Sequence, residues 1–270
     1  MAARKEQIPS VWTRPQRARR RDQPALSREQ IVAEAIAILD ADGIEALSMR
    51  RLGTRLNAGA TSMYTHVANK EELIELVVDE VLGELRLPDT TALRGSGSSG
   101  AAGSGSVGSG SADPDAWRAA ITECADGVRA TVLRHPWLVS VLGDVGLAYL
   151  GPNMMRFSEA MLTVLEEAGF ELLEANDAMG VVMAFVVGMA TSEASWLTTI
   201  ARHGTDEQAW VEQLLPAAEE AARGHPRLHR LYLMQQSLDA SATREKGFAN
   251  GIRLVLDGIE LAHRARTENR

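Results

Sequence analysis

The sequence predicts an all-α protein, with an N-terminal three-helix helix-turn-helix domain joined to a larger C-terminal helical domain. Three observations carry this. Apolar residues recur at three- and four-residue spacing from Ser27 to Leu87 and again from Asp113 onward, with no convincing strand alternation. Between these stretches lies a low-complexity tract, Arg94 to Ala112, in which 14 of the 17 residues from Gly95 to Ser111 are Gly or Ser. It reads as a flexible linker with an r.m.s. span of about 20–25 Å. The charge divides along the chain as well. Residues 1–70 carry 12 basic and 7 acidic groups, and the remainder carries 16 and 29. The overall charge of −8 argues against a generic nucleic-acid coat protein, but the basic excess sits at one end.

Each element has a local cause. Residues 1–26 are polar and basic, contain three prolines and lack an apolar period, which predicts a disordered arm carrying Arg19, Arg20 and Arg21. Residues 27–87 form the first helical unit. Ser27-x-x-Gln30 is a capping box, after which Ile31, Ala35, Ile38 and Leu39 keep one face. Gly43 ends that helix. Ser48 caps a short second helix with Leu52 and Leu56 inward. Asn57-Ala58-Gly59 is a turn, and Asn tolerates the left-handed conformation it needs. A third short helix covers about Ala60 to His66. Asn69-x-x-Glu72 caps a fourth, with Leu73, Leu76, Val77, Val81 and Leu85 on one stripe.

Residues 113–270 give at least five helices. Asp113-Pro114 is a cap with proline at the first helical position, and the helix it opens carries Trp117, Ile121, Val128 and Val132. Others follow Pro152, run from near Glu174 to Ile200, precede Gly224, and cover about Thr243 to Arg266. The longest uncharged apolar run, Ala178 to Ser192, has 15 residues, short of the roughly 17–25 a membrane-spanning helix needs. It reads as a buried helix. The basic N-terminus lacks a following apolar segment, so no signal peptide and a cytoplasmic location are expected. A single cysteine, Cys124, excludes an intrachain disulfide and a CxxC metal site.

Two short helices on a tight turn have the dimensions of a helix-turn-helix, whose second helix enters the major groove. The sequence here resembles the TetR (tetracycline repressor) family of bacterial transcription regulators. The likeness is carried by Ile31-Val32-Ala33-Glu34-Ala35, Asp42-Gly43, Leu47-Ser48-Met49-Arg50-Arg51-Leu52 and Met63-Tyr64-Thr65-His66-Val67-x-Asn69-Lys70-Glu71-Glu72-Leu73. The region from Phe248 to Leu261 resembles the tetracycline-repressor-type ligand domain more loosely.

The resemblance implies a homodimer on a pseudo-palindromic double-stranded operator, released by a small, largely apolar effector, with no cofactor, metal, membrane or enzymatic activity. It implies that Tyr64 and His66 pack on or donate to phosphates and that Arg50 reaches into the groove. Ala60, Thr61 and Ser62 are small, so the helix start can press close to the bases; Thr61 and Ser62 can bond base edges. Ser48 and Thr65 complete the candidate set. Lys70 starts a helix, where its charge and the helix N-terminus both favour phosphate. Arg51 and Arg55 read as a solvated face. Ala60 stands where the founding repressor has a long amide that reads a base, so specificity leans on Arg50, Thr61, Ser62 and DNA shape. The arginine-rich arm is expected to reach an adjacent minor groove.

In the C-terminal domain, adaptable methionines and aromatic walls suggest a pocket. The candidates are Trp117, Trp137, Met155, Phe157, Met161, Met183 and Trp196, with Glu193 for polar fixation. Phe248, Ile252, Val255 and Ile259 on the last helix are the expected dimer stripe. Gly180, Gly188, Ala190 and Ala194 would let the long helix approach a partner closely. A floppy linker transmits no force, so coupling must run through helix packing around it. The rivals are a ligand-binding module without DNA binding and, more remotely, an enzyme. His225-x-x-x-His229 has metal-ligand spacing but no evident third ligand.

Overall fold

The computed structural model describes residues 26–88, 115–144 and 151–268, with the side chains of 60, 61 and 142–144 excepted. The arm, with Arg19, Arg20 and Arg21, the linker 94–112 and the Asp113-Pro114 cap lie outside the described residues. The described residues are helical, with no strand among them. The head comprises α1 (Arg28–Asp42), α2 (Met49–Arg55), α3 (Ala60–His66) and α4 (Lys70–Leu82), with a 3-10 turn at Ile44–Ala46. The body comprises α5 (Ala116–Arg134), α6 (Leu138–Asp144), α7 (Pro152–Glu167), α8 (Leu172–Arg202), α9 (Glu207–Ala221), α10 (Pro226–Gln235) and α11 (Ala240–Glu268).

The helix starts follow from the side chains that cap them. Ser27 Oγ accepts from Gln30 N at 3.1 Å while Ser27 N donates to Gln30 Oε1 at 2.9 Å. Ser48 Oγ accepts from Arg51 N, and Asn69 Oδ1 accepts from Glu72 N at 2.7 Å. Gly43 ends α1 at φ 78°, and Asn57 takes φ 48° in the turn. Ala58 N donates to Gly53 O at 2.9 Å across the same turn. A Cβ on Gly53 would lie 3.0 Å from Ala58 O, a tight contact that the turn would have to give by a few tenths of an ångström to accept.

The head core is the expected one: Ile31, Ala35, Ile38, Leu39, Leu52, Leu73, Leu76, Val77 and Val81 are all buried. It does not stop at the head. The same apolar cluster continues through Val132, Trp137, Leu138, Val141, Ala190 and Ala194 of the body. Two polar clasps reinforce this junction. Asp40 at the end of α1 accepts from Trp137 Nε1 and lies against His135 Nδ1, both at 2.7 Å. Asp79 on α4 caps the start of α7, accepting from Asn153 N and Met154 N at 3.1 Å each. Asn153 Nδ2 adds bonds to the Asp79 backbone carbonyl and carboxylate. A Cβ on Gly151 would overlap this carboxylate, so the approach of α4 to α7 requires glycine at that position.

In the body, α8 is central and packs on α5, α7 and α11 around a second apolar cluster. This placement corrects the expected dimer stripe. Phe248 and Ile252 are buried, and Val255 and Ile259 pack on the same cluster, so the stripe faces the subunit's own core. The outward side of α11 instead shows Gly247, Leu254, Gly258 and Leu261. Periodicity reveals that a stripe is apolar but not which neighbour covers it. Ala190 and Ala194 are likewise buried, within the apolar cluster that runs from the head into the body, while Gly180 and Gly188 face open space.

The helix α8 starts at Leu172, slightly before the expected Glu174, and is long and apolar enough by composition to cross a membrane. Two helices, α6 and α10, add to the five placed from the sequence.

Candidate nucleic-acid interface and ligand pocket

The α2–turn–α3 unit presents a shallow groove lined by Met49, Arg50, Gly53, Thr54, Asn57, Ala58, Gly59, Met63 and Tyr64. Tyr64 is 52% exposed and so is not a core aromatic. Ser48, Arg50, Ser62 and Thr65 are also exposed; His66 and Lys70 are half-buried. The arginines of α2 divide sharply. Arg51 pairs with Asp42, and Arg55 pairs with Glu34. No ion pair engages Arg50 among the described residues, so it is the arginine of α2 free to meet a phosphate or a base edge.

Several polar groups are partly committed. Thr65 Oγ1 donates to Ser62 O at 2.6 Å, and Lys70 Nζ reaches Ile44 O at 3.5 Å. The Ser48 hydroxyl accepts in its cap and keeps its own proton to donate. The backbone at residues 60 and 61 starts α3 as expected, but the side chains of Ala60 and Thr61 lie outside the described residues.

The body holds a cavity of about 390 Å³ between the C-terminal half of α8 and α9, α10 and α11. Its apolar wall includes Met189, Trp196, Val211, Leu215 and Leu238; Glu193, Glu207, Gln235, Thr243 and Arg244 supply polar groups. Glu193 is buried and receives Arg129 Nε and Nη2, each at 2.6 Å, and also pairs with Arg244. Arg244 Nε donates to Glu207 at 3.1 Å, and Trp196 Nε1 donates to the same carboxylate at 3.1 Å. Arg129 Nη1 bonds Glu245 at 2.6 Å, and its guanidinium sits 4.7 Å from the Phe248 ring centre. The bonds to Glu193 and Glu245 hold the Arg129 pKa above its ordinary value, so the guanidinium is permanently charged.

Of the expected pocket residues, the structure brings Glu193 and Trp196 together at this cavity. Trp117, Phe157 and Met161 are buried in the body core, with Met183 at its edge. Met155 is 46% exposed on α7, and Trp137 belongs to the head–body junction. Sequence reasoning missed Arg129, Glu207 and Arg244. Arg129 left a signal, because it interrupts the buried face that Ala125, Val128 and Val132 make on α5. His225 precedes α10 and His229 lies one turn into it. Among the described residues, no group of three His, Cys, Asp or Glu is placed to hold a metal.

The comparisons agree with this architecture. The family model described as "Tetracyclin repressor-like, C-terminal domain" matches residues 110–262. A protein described as an HTH-type transcriptional regulator from Saccharopolyspora erythraea is 35% identical over 187 residues, covering 69% of each chain. The HTH-type transcriptional repressor DrrR1 of Streptomyces coeruleorubidus is 30% identical over 254 residues, 93% of this chain and 83% of that one. The crystal structure of the Streptomyces coelicolor TetR family protein ActR in complex with actinorhodin superposes with a TM-score of 0.67 at 27% identity, covering 89% of this chain and 98% of ActR. With its helix-turn-helix head, its helical body and these matches, the chain belongs to the TetR family of transcriptional regulators.

Proposed function

We propose that the protein is a homodimeric repressor that binds a pseudo-palindromic operator through α3 and Arg50 and leaves it when a small effector binds the body. The observation that carries this reading is the division of the α2 arginines. Two are tied to carboxylates, while Arg50 and the exposed Tyr64 flank the groove between α2 and α3. Ser48, Ser62, Thr65, His66 and Lys70 surround them, and the arm with Arg19, Arg20 and Arg21 adds charge for an adjacent minor groove.

Dimerisation supplies the second recognition helix. The outward faces of α8 and α11 suit a contact between two copies. They expose Leu173, Val181, Leu254 and Leu261, between small residues such as Gly180, Gly188 and Gly258. Asp177 lies on the same outward face of α8, which fits a protein neighbour better than lipid. Effector binding in the body reaches the head through the shared apolar cluster and the Asp40 and Asp79 clasps. The coupling is reciprocal, so operator DNA weakens effector binding by the same factor.

A gel shift against the DNA upstream of the protein's own reading frame tests the reading. The intact protein should shift this fragment and Arg50→Ala should not do so at the same concentration. Sedimentation should show a dimer that Leu254→Asp with Leu261→Asp dissociates. A monomeric wild-type protein, or one that ignores the fragment, refutes the proposal.

A further inference from the structure

The cavity beside α8 carries a charge asymmetry that selects its occupant. Its lining holds two carboxylates, Glu193 and Glu207, against one guanidinium, Arg244, while Arg129 and Glu245 lie outside the lining and pair with these groups. Arg129 is bonded at all three of its nitrogens, and Arg244 at Nε and Nη1, with Nη2 held only by a long contact. Arg129 gives Nε and Nη2 to Glu193 and Nη1 to Glu245. Arg244 gives Nε to Glu207, Nη1 to Glu193 and Glu245, and Nη2 to Ser241 Oγ at 3.5 Å. An anion entering the cavity would face the Glu193 and Glu207 carboxylates and find only the Nη2 end of Arg244 lightly held, the rest of that guanidinium being committed to Glu207, Glu193 and Glu245.

A cation meets the opposite situation. Glu207 has spare acceptor capacity, since its Oε2 receives one long bond of 3.3 Å from Arg244. The Trp196 ring and the Met189 thioether line the same space and suit a positive charge on an apolar body.

We infer that the cavity between α8, α9, α10 and α11 is a binding site for a lipophilic organic cation, with the protonated amine on Glu207 and the apolar body against Trp196 and Met189. The inference rests on the reading of the body as an effector domain and assigns the site and its ligand class.

Two acridines that share a ring system and differ in charge test it. Titration calorimetry of the full-length dimer at neutral pH should show 9-aminoacridine, a cation, binding at least tenfold tighter than acridine-9-carboxylate. Glu207→Gln should cost the cation about tenfold, with the melting curve showing that the variant is folded. Gln235→Lys puts a positive charge on the wall without touching the ion-pair network, and should weaken the cation and strengthen the anion. If the anion binds as tightly as the cation, if neither binds, or if Gln235→Lys changes nothing, the inference falls. Gel shifts run without either acridine report on the repressor reading separately, so the two can fail independently.

Discussion

The Asp79 clasp permits a quantitative test of how head and body are joined. The carboxylate is 4% exposed and accepts two backbone N–H groups from the first turn of α7, plus the Asn153 amide. Replacing it with alanine removes a helix cap, worth about 1 kcal/mol. It also leaves buried donors unpaired, at roughly 1–3 kcal/mol each. Part of this is offset, because burial disfavours the carboxylate and raises the Asp79 pKa despite its backbone bonds. Asp79→Ala should therefore cost about 2–4 kcal/mol, and Asp79→Asn, which keeps one acceptor oxygen, about 1–2 kcal/mol.

Gly151→Ala should cost as much as Asp79→Ala, since the new methyl displaces the carboxylate. In the double variant the overlap with the carboxylate is gone, and a contact of 2.8 Å with the Asp79 Cβ remains. The two losses should consequently fall short of additivity by at least about 1 kcal/mol. Urea unfolding at one fixed protein concentration, followed by circular dichroism, measures all five proteins. The pH dependence has a definite sign. A carboxyl with a raised folded-state pKa contributes stability that is fully present at low pH and is lost as pH rises through that pKa. The margin of wild type over Asp79→Asn should shrink from the ordinary carboxylate range toward neutrality. Additive losses, or an Asp79→Ala variant within 0.5 kcal/mol of wild type, would refute the clasp (about the scatter of a neutral surface change).

Three further outcomes are expected. Arg50→Ala should weaken operator binding by about 1–3 kcal/mol in a gel shift, whereas Arg51→Ala and Arg55→Ala, which lose surface ion pairs, should stay within about 1 kcal/mol. Asn57→Gly should leave stability nearly unchanged in a thermal melt, while Asn57→Val at φ 48° should cost about 1–2 kcal/mol. Burial pushes the Cys124 thiol up to about 12, so iodoacetamide at neutral pH should label it far more slowly in the native protein than in urea.

The head was legible in the sequence almost residue by residue, and the reasons are local. Capping by Ser27, Ser48 and Asn69, the left-handed Asn57 and the terminating Gly43 each depend on neighbours within a few positions. The body was legible only as a set of helices. Whether Phe248 faces its own core or a partner depends on α5 and α8, both remote from it in the chain. The cavity was half legible for the same reason. Glu193 stood out because it closes a long apolar run, and Trp196 because it is large, but Arg244 and Glu207 look like ordinary surface residues until α9 and α11 bring them to Glu193. Expecting aromatics and methionines to mark a pocket mostly found the core, since the same residues serve both purposes.

The junction of head and body has an evolutionary consequence. It is built from an apolar cluster that α1 and α4 share with α5, α6 and α8, and from carboxylates that seize the α5–α6 corner and the start of α7. Selection on regulation therefore bears on these docking surfaces as well as on the residues that meet DNA or effector.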